Sequence, residues 1–232
     1  MPAADTVSRS KLAATGVYLL AWPALQLWLS GDWRWVEGWI FGLWFVALCA
    51  ASIGWLYRND PTLLAERYRW PGSGGQSLAD QVIVYGLLFG FVAWIAIPPL
   101  DARRFHWTPP LPAWCEAVGV GLLLGGAFFL FRSFTDNPFL SPLVRIQGER
   151  GQRLVSTGVY GTVRHPMYLG ASLMFLGGPL LLGSGWGLLL GLGLVLLLMV
   201  RIVGEEKLLA RELEGYEAYR REVRYRLVPR IW

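Results

Sequence analysis

Long stretches without a charged residue dominate the hydrophobic and polar pattern of this chain. Four of them reach or exceed the length of a membrane span, and they lie between residues 11 and 32, 37 and 58, 80 and 101, and 164 and 201. A helix needs about 20 apolar residues to cross a hydrocarbon core of about 30 Å. The pattern therefore predicts an all-α, polytopic transmembrane helical bundle, whose first four spans lie near residues 12–30, 38–57, 81–98 and 113–134.

The last apolar region, residues 165–200, is too long for one span. As a single helix it would reach about 54 Å, nearly twice the hydrocarbon core. Its centre contains helix breakers and an aromatic residue typical of the membrane interface, in the run Gly183-Ser184-Gly185-Trp186-Gly187. We therefore predict a hairpin of two short helices, 167–182 and 186–203, which gives about six passes. Two glycine pairs four residues apart predict close helix approach: Gly121/Gly125 and Gly187/Gly191.

Basic residues divide the loops into two sets. The N-terminus, the 58–80 loop, the 135–165 loop and the C-terminal tail are rich in Arg and Lys, whereas the other loops hold only Arg34, Arg103 and Arg104. By the positive-inside rule, both termini of this multi-pass protein face the cytoplasm, at the inner membrane if the source is prokaryotic. The proline-rich 99–112 loop is expected to be an irregular extracytoplasmic connector. Apolar positions from Leu208 to Val223 recur every three or four residues, which predicts a cytoplasmic amphipathic helix.

Composition narrows the class further. Of 232 residues, 54% are hydrophobic and 16% are charged, and the mean hydropathy is +0.41. Ordinary soluble domains carry about a quarter charged residues, so a disordered chain and a typical cytosolic enzyme fit poorly. The net charge of +5 comes largely from Arg at membrane edges, where basic residues contact lipid headgroups. We therefore expect membrane lipids as partners and no nucleic acid; the sequence carries no signal for the oligomeric state. Cys49 and Cys115 lack ligand neighbours, so no metal site is indicated.

Candidate chemistry gathers in the two polar segments that flank the hairpin. His165 and Pro166 stand where a loop becomes a helix, and the free N–H groups at such a start favour a ligand carboxylate. Arg201 and Glu205 are four residues apart and share a helix face. Two interpretations are open: an interfacial salt bridge, or a polar floor under a lipid-accessible site. In the second, Arg201 neutralises an acidic group and Glu205 orients a nucleophile or accepts a proton.

The two segments together resemble the isoprenylcysteine carboxyl methyltransferase family, whose wider group includes phospholipid N-methyltransferases. The resemblance covers roughly residues 135–232. It is carried by Val155-Ser156-Thr157-Gly158-Val159-Tyr160, Arg164-His165-Pro166-Met167-Tyr168-Leu169-Gly170, Glu205-Glu206, and Tyr216-x-x-Tyr219 before Val228-Pro229. It implies two regions: a four-helix transmembrane scaffold over 1–134, and a methyltransferase-like catalytic region over 135–232 with cofactor loop, hairpin and amphipathic segment.

The resemblance also implies S-adenosylmethionine as the cofactor. Arg201 and Glu205 fall at the catalytic, substrate-side positions, and Arg145 is a further candidate in a loosely aligned loop. The cofactor-binding positions that the motif implies are Gln152, Arg153, Leu154, Val155, Tyr160, His165, Pro166, Met167, Tyr168 and Glu206. Gln152 replaces a His common in eukaryotic members, and the tail departs from their Pro-x-x-Gly-Leu-Pro ending.

The expected activity is methyl transfer to a lipophilic or small acceptor: a carboxylate of an isoprenylcysteine-like molecule, which needs no base, or a lipid amine or thiol, for which Glu205 would accept a proton. Two alternatives remain. One is an intramembrane NADPH-dependent reductase of the steroid-reductase type, which has a similar helical layout. The other is a non-enzymatic lipid-binding or transport protein. Transport would need a polar path through the spans, and the spans carry almost no buried charge.

Overall fold

A computed structural model describes residues 7–72 and 76–232, and all regular structure in these ranges is helical. The long helices are α1 (Arg9–Ser30), α2 (Val36–Asn59), α4 (Leu78–Pro98), α5 (Trp114–Asp136), α6 (Pro166–Leu182) and α7 (Gly185–Glu212). Two short helices, α3 (Pro61–Arg67) and α8 (Tyr216–Glu222), lie outside the spans. A π-helix covers Pro99–Phe105, and 3-10 turns occur at Gly148–Arg150 and Gly158–Gly161. The predicted all-α, polytopic fold is confirmed.

The predicted hairpin is present, although its two arms differ in length. α6 has 17 residues, and α7 has 28 and continues to Glu212 rather than ending near residue 203. Within the described residues, α6 is a shorter apolar helix beside five helices long and apolar enough to cross a membrane. The turn between the arms uses Gly183 at φ 73° as the end of α6, and the Ser184 side chain caps the start of α7.

The prediction of one amphipathic helix over 208–223 is wrong. α7 covers only residues 208–212 of this segment, and Gly215 at φ 79° then interrupts the helix before α8 begins. The apolar residues of the segment face protein: Tyr216, Tyr219 and Val223 are buried against Leu154 and Leu209. The apolar residues recur because they are buried against the loop before α6. Their spacing stays helical across Gly215, so the pattern did not indicate the glycine turn.

The expectation of irregular chain over 99–112 is also wrong in its first half. α4 continues into the π-helix Pro99–Phe105, which ends at His106 with φ 51°. Pro98 and Pro99 have no N–H to donate, so the change from α-helix to π-helix at these residues leaves fewer backbone donors without a partner than it would at other residues. The buried Asp101 carboxylate then accepts hydrogen bonds from Thr108, Ser184 and the Trp186 N–H. These bonds tie the hairpin turn to the connector.

Glycines allow α5 and α6 to pack backbone against backbone. A Cβ at Gly119 would lie 2.5 Å from the Leu181 nitrogen, and one at Gly177 would lie 2.9 Å from the Gly119 oxygen. The Gly121/Gly125 prediction is wrong for Gly121, because a Cβ there would meet nothing within 4 Å, whereas one at Gly125 would lie 3.5 Å from the Leu173 side chain. The close backbone contacts of α5 with α6 are at Gly119 and Gly126. The Gly187/Gly191 prediction is confirmed, because a Cβ at Gly191 would overlap the Phe175 oxygen.

Polar contacts group the loops at the two ends of the bundle as the charge pattern predicted. At one end, here called the site end, Thr15 bonds Tyr68 and Arg150 bonds Thr62. At the other, the hairpin end, Arg103 pairs with Asp32 at 2.7 Å. The membrane side of each end stays a prediction. Between the ends, α1, α2, α4 and α6 pack through aromatic residues, and the Trp94 indole donates to the Phe175 oxygen at 2.9 Å.

Candidate active site

A cavity opens at the site end, between the loop 137–155, the start of α6, the second half of α7 and α8. Ten of the predicted site residues line it: Gln152, Arg153, Leu154, Val155, Tyr160, His165, Pro166, Met167, Tyr168 and Glu205. Arg145 lines it as well, together with Tyr216 and Tyr219 from the C-terminal segment. The fold thus gathers residues more than 60 positions apart along the chain into one wall.

Glu206 lies behind this wall rather than in it. Its carboxylate accepts from Arg164 at 2.7 Å, from Arg226 at 2.8 Å, and contacts the His165 Nε2 at 3.2 Å. The residue is only 3% exposed. A buried carboxylate with three basic neighbours is well compensated. Glu206 therefore orients the His165 ring from behind the cavity, and it has little capacity left to contact a ligand.

The segment before α6 is held by the end of the chain. The main-chain N–H groups of Arg164 and His165 donate to the carbonyls of Tyr225 and Arg226, at 2.9 and 3.0 Å. The Arg164 guanidinium also donates to the Val223 oxygen at 2.7 Å. These bonds place the start of α6 against residues 223–226. Sequence reasoning did not predict these main-chain bonds, although the resemblance included Val228-Pro229 of the tail.

Glu205 and Arg201 lie on the same face of α7 but have different partners. The Tyr168 phenol donates to the Glu205 carboxylate at 2.6 Å, and this carboxylate faces the cavity. Arg201 instead pairs with Asp80 at 2.9 Å and donates to the Pro142 oxygen at 2.7 Å. The proposed Arg201–Glu205 salt bridge is therefore replaced by a pair with Asp80. Asp80 was missed because it bounds a span 121 residues earlier, and only the packing of α4 on α7 brings it near.

Four tyrosines surround the cavity. Tyr219 donates to the Tyr160 oxygen at 2.7 Å, and Tyr168 bonds Glu205 as above. The Tyr216 hydroxyl is buried, and it has no hydrogen-bond partner within the described ranges. Burial raises the pKa of Tyr160, Tyr216 and Tyr219. Their phenols therefore stay neutral at physiological pH and can act as hydrogen-bond donors or as aromatic walls.

The loop over the cavity is held by its own side chains and by α3. The Gln152 side chain accepts from the Gln147 N–H at 2.7 Å, so this residue supports the loop backbone. Arg145 pairs with Glu149 at 2.7 Å and with Glu66 of α3 at 2.9 Å. Burial lowers the pKa of Arg145, but hydrogen bonds to both carboxylates outweigh it and leave the pKa raised. The loop is therefore anchored to α3, an element that sequence reasoning left without a role.

The arrangement combines groups suited to a cofactor that carries both a positive and a negative charge. Neutral phenols, the free N–H groups of the first turn of α6, and the Glu205 carboxylate face one space. Aromatic faces and a carboxylate attract a cation, and helix-start N–H groups attract a carboxylate. Within the parts of the chain that the structure covers, no group of three potential metal ligands forms.

Comparisons with known proteins identify a related family and a related fold. Residues 114–214 match the family model described as phospholipid methyltransferase. The match starts at α5, earlier than the region that carried the resemblance in the sequence, and it ends just before α8. The predicted resemblance to this group of integral membrane methyltransferases is confirmed.

The fold is shared with a solved enzyme structure, that of a eukaryotic intramembrane Ras methyltransferase, the isoprenylcysteine carboxyl methyltransferase. The TM-score is 0.55 at 18% identity, over 92% of this chain and 74% of that one. The chain is also similar to the Lamin-B receptor of Drosophila melanogaster, at 27% identity over 137 residues. That region is 53% of this chain but only 18% of the receptor, so the chain spans a small part of this relative.

Proposed function

From a fold shared with the isoprenylcysteine carboxyl methyltransferase and a region that matches the phospholipid methyltransferases, we propose that this chain is an integral membrane methyltransferase. It uses S-adenosylmethionine and acts on an acceptor that reaches the site end from the bilayer. The observation that carries the proposal is the cavity itself, which gathers the start of α6, the loop 152–155 and Glu205 around one space.

The residues present fit this cofactor. Tyr216 lines the cavity, and its buried hydroxyl has no partner in the described residues. A buried polar atom of this kind costs free energy unless a ligand or water satisfies it. The N–H groups of Met167 and Tyr168 at the start of α6 suit a carboxylate. Tyr160, Tyr216 and the 152–155 backbone offer flat apolar and polar surface for an aromatic ring.

The protein side of the reaction is mainly alignment and exclusion of water. When bound, S-adenosylmethionine supplies a methyl group on a positively charged sulfur, ready for in-line displacement. The Glu205 carboxylate, held by Tyr168, attracts positive charge and fixes the acceptor side of the site. His165, fixed by Glu206 and stacked on Tyr168 with ring centroids 5.6 Å apart, shapes the adjoining part of the wall. Holding the reactants in line in a space that excludes water lowers the barrier.

The partners of Arg201 and Glu205 favour an acceptor with a proton to lose. A carboxylate acceptor would need Arg201 as its positioning group, but the Arg201 guanidinium is engaged by Asp80 and the Pro142 oxygen. Glu205 lines the cavity and accepts one hydrogen bond from the side chains that the structure describes, which leaves lone pairs for a proton or an N–H donor. We therefore assign Glu205 as proton acceptor and propose an amine-bearing lipid as the acceptor, ahead of a prenylated cysteine carboxylate.

Radiolabelled methyl transfer tests both parts of this proposal, the methyltransferase activity and the class of acceptor. The purified protein is incubated with labelled S-adenosylmethionine and either phosphatidylethanolamine or a farnesylated cysteine derivative. Label in the amine lipid is expected. Label only in the farnesylated compound would overturn the acceptor while leaving the methyltransferase activity standing. Thermal stabilisation by NADPH but not by S-adenosylhomocysteine, without label in either acceptor, would overturn the activity and favour a reductase.

A further inference from the structure

A second concave surface lies outside α7 at the site end, on the far side of Glu206 from the cavity. It is here called the basic groove, and its lining residues are Val203, Glu206, Lys207, Ala210, Arg211, Arg220 and Arg226. Four of these side chains are positively charged, and they come from α7, α8 and the tail. Nothing in the proposed methyl transfer uses them.

The positive charge of the basic groove is largely uncompensated. Glu206 is the one carboxylate among its described lining residues, and this group is already bonded to Arg164, His165 and Arg226. Among the described carboxylates, Arg220 contacts only Glu217, at 3.4 Å, and both of these side chains are half-exposed. Within residues 7–72 and 76–232, no carboxylate lies at salt-bridge distance from Lys207 or Arg211. The groove therefore presents free cationic groups that would be stabilised by an oxyanion.

An exposed apolar stripe on α7 runs straight into this groove. Leu192, Leu196, Val200 and Val203 are exposed, and Lys207 and Arg211 continue the same face at spacings of three and four residues. From Leu192 to Val203 the helix rises about 16 Å, about half of a 30 Å hydrocarbon core. The stripe thus matches the depth of one leaflet and ends at the cationic groups.

We propose that the basic groove binds the phosphate of an anionic phospholipid whose acyl chain lies along the exposed stripe of α7. The charge complementarity selects an acidic headgroup over a zwitterionic one, and the apolar stripe selects a lipid over a free phosphate ion. The site is distinct from the cavity that would hold the methyl acceptor, since Glu206 and its three basic partners stand between them. The proposal does not depend on the methyl-transfer activity.

Native mass spectrometry of the detergent-solubilised protein tests this assignment. The protein is titrated with equal amounts of phosphatidylglycerol and phosphatidylcholine that carry the same acyl chains. We expect one tightly retained phosphatidylglycerol, and a Lys207→Gln/Arg211→Gln variant that retains it at least about tenfold less well. Inorganic phosphate at millimolar concentration is added as a competitor, and it should not displace the lipid.

The matched control is Arg221→Gln/Arg224→Gln, which removes the same charge from exposed positions outside the groove. Equal losses in the two double variants would mean a diffuse surface attraction and would overturn the site. So would equal retention of the two lipids by the unmodified protein, or full displacement by inorganic phosphate. If the first double variant is poorly folded by circular dichroism, Arg211→Gln alone is compared with Arg224→Gln under the same criteria.

Discussion

The Tyr168 phenol donates a 2.6 Å hydrogen bond to the Glu205 carboxylate, and this bond joins the first turn of α6 to the part of α7 that faces the cavity. The same ring stacks on His165 at 5.6 Å and lies 5.9 Å from the Arg201 guanidinium. Tyr168 therefore links the groups assigned to the cofactor with the group assigned to the acceptor, and its hydroxyl can be removed without changing its shape.

Tyr168→Phe should lower turnover about tenfold or more while changing S-adenosylhomocysteine affinity by less than threefold. The ring would remain in place, but Glu205 would lose the donor that fixes it; a hydrogen bond to a charged group contributes about 1.5–3 kcal/mol. Turnover and calorimetric binding are measured on one preparation. Tyr85→Phe, on an exposed position of α4, is the control. An unchanged turnover would remove Glu205 orientation from the mechanism.

His165→Ala should weaken S-adenosylhomocysteine binding by at least about tenfold, because the imidazole lines the cavity next to the start of α6. The other histidine, His106, lies at the hairpin end, so His106→Ala serves as the control. Isothermal titration calorimetry measures the affinity of both variants for S-adenosylhomocysteine. Equal affinities in wild type and His165→Ala would contradict the assigned pocket.

Tyr216→Phe and Tyr219→Phe should have opposite effects. The Tyr216 hydroxyl is buried without a partner in the described residues, so its removal should leave the melting temperature unchanged or higher while weakening S-adenosylhomocysteine binding. The Tyr219 hydroxyl bonds the Tyr160 oxygen, so its removal should cost about 1 kcal/mol of stability. Thermal unfolding with and without ligand separates the two. A Tyr216→Phe variant that binds as well as wild type would show that this phenol does not meet the ligand.

Glu206→Gln should destabilise the protein by about 3 kcal/mol, because Arg164 would stay buried beside His165 and Arg226 without its counter-charge. Glu222→Gln, at an exposed position near the end of α8, is the charge-matched control. Denaturant unfolding in a fixed detergent gives the free-energy difference. A loss below 1 kcal/mol would mean that water or the tail compensates Arg164.

Gly119→Ala should cost about 1–3 kcal/mol, because its new methyl group would press on the α6 backbone. Gly121→Ala, two residues further along the same helix, adds the same atoms where nothing lies within 4 Å, and it should be neutral or slightly stabilising. The comparison of the two melting temperatures tests the α5–α6 contact directly. Similar effects of both substitutions would argue against close backbone packing.

Local sequence signals predicted the spans and the hairpin turn well, because a charge-free run and a Gly-Ser-Gly-Trp-Gly break depend on neighbouring residues alone. The same holds for Pro166, which begins α6 as its missing N–H requires. Ten of the twelve proposed site residues line one cavity. They were placed by the positions of family motifs, which relate distant segments to one another, whereas local patterns do not.

Partners from distant segments could not be predicted this way. The pairing of Arg201 with Asp80, and the hold of Tyr225 and Arg226 on the segment before α6, depend on packing between helices. Helix periodicity also does not reveal a glycine turn when the apolar residues keep a helical spacing on both sides of it. For this reason the turn at Gly215 was not predicted. Among glycines, spacing alone did not distinguish Gly121 from Gly119, since only the position of α6 decides which of them is in contact.

The short length of α6 affects how deep the candidate site lies in the bilayer. Its 17 residues rise about 25 Å, some 5 Å less than a typical hydrocarbon core. With the hairpin turn and Trp186 at one interface, His165 and Tyr168 would sit below the opposite lipid surface unless the bilayer thins around them. An acceptor embedded in that leaflet would therefore meet the site at its own level, by moving sideways and without extracting its tail from the membrane.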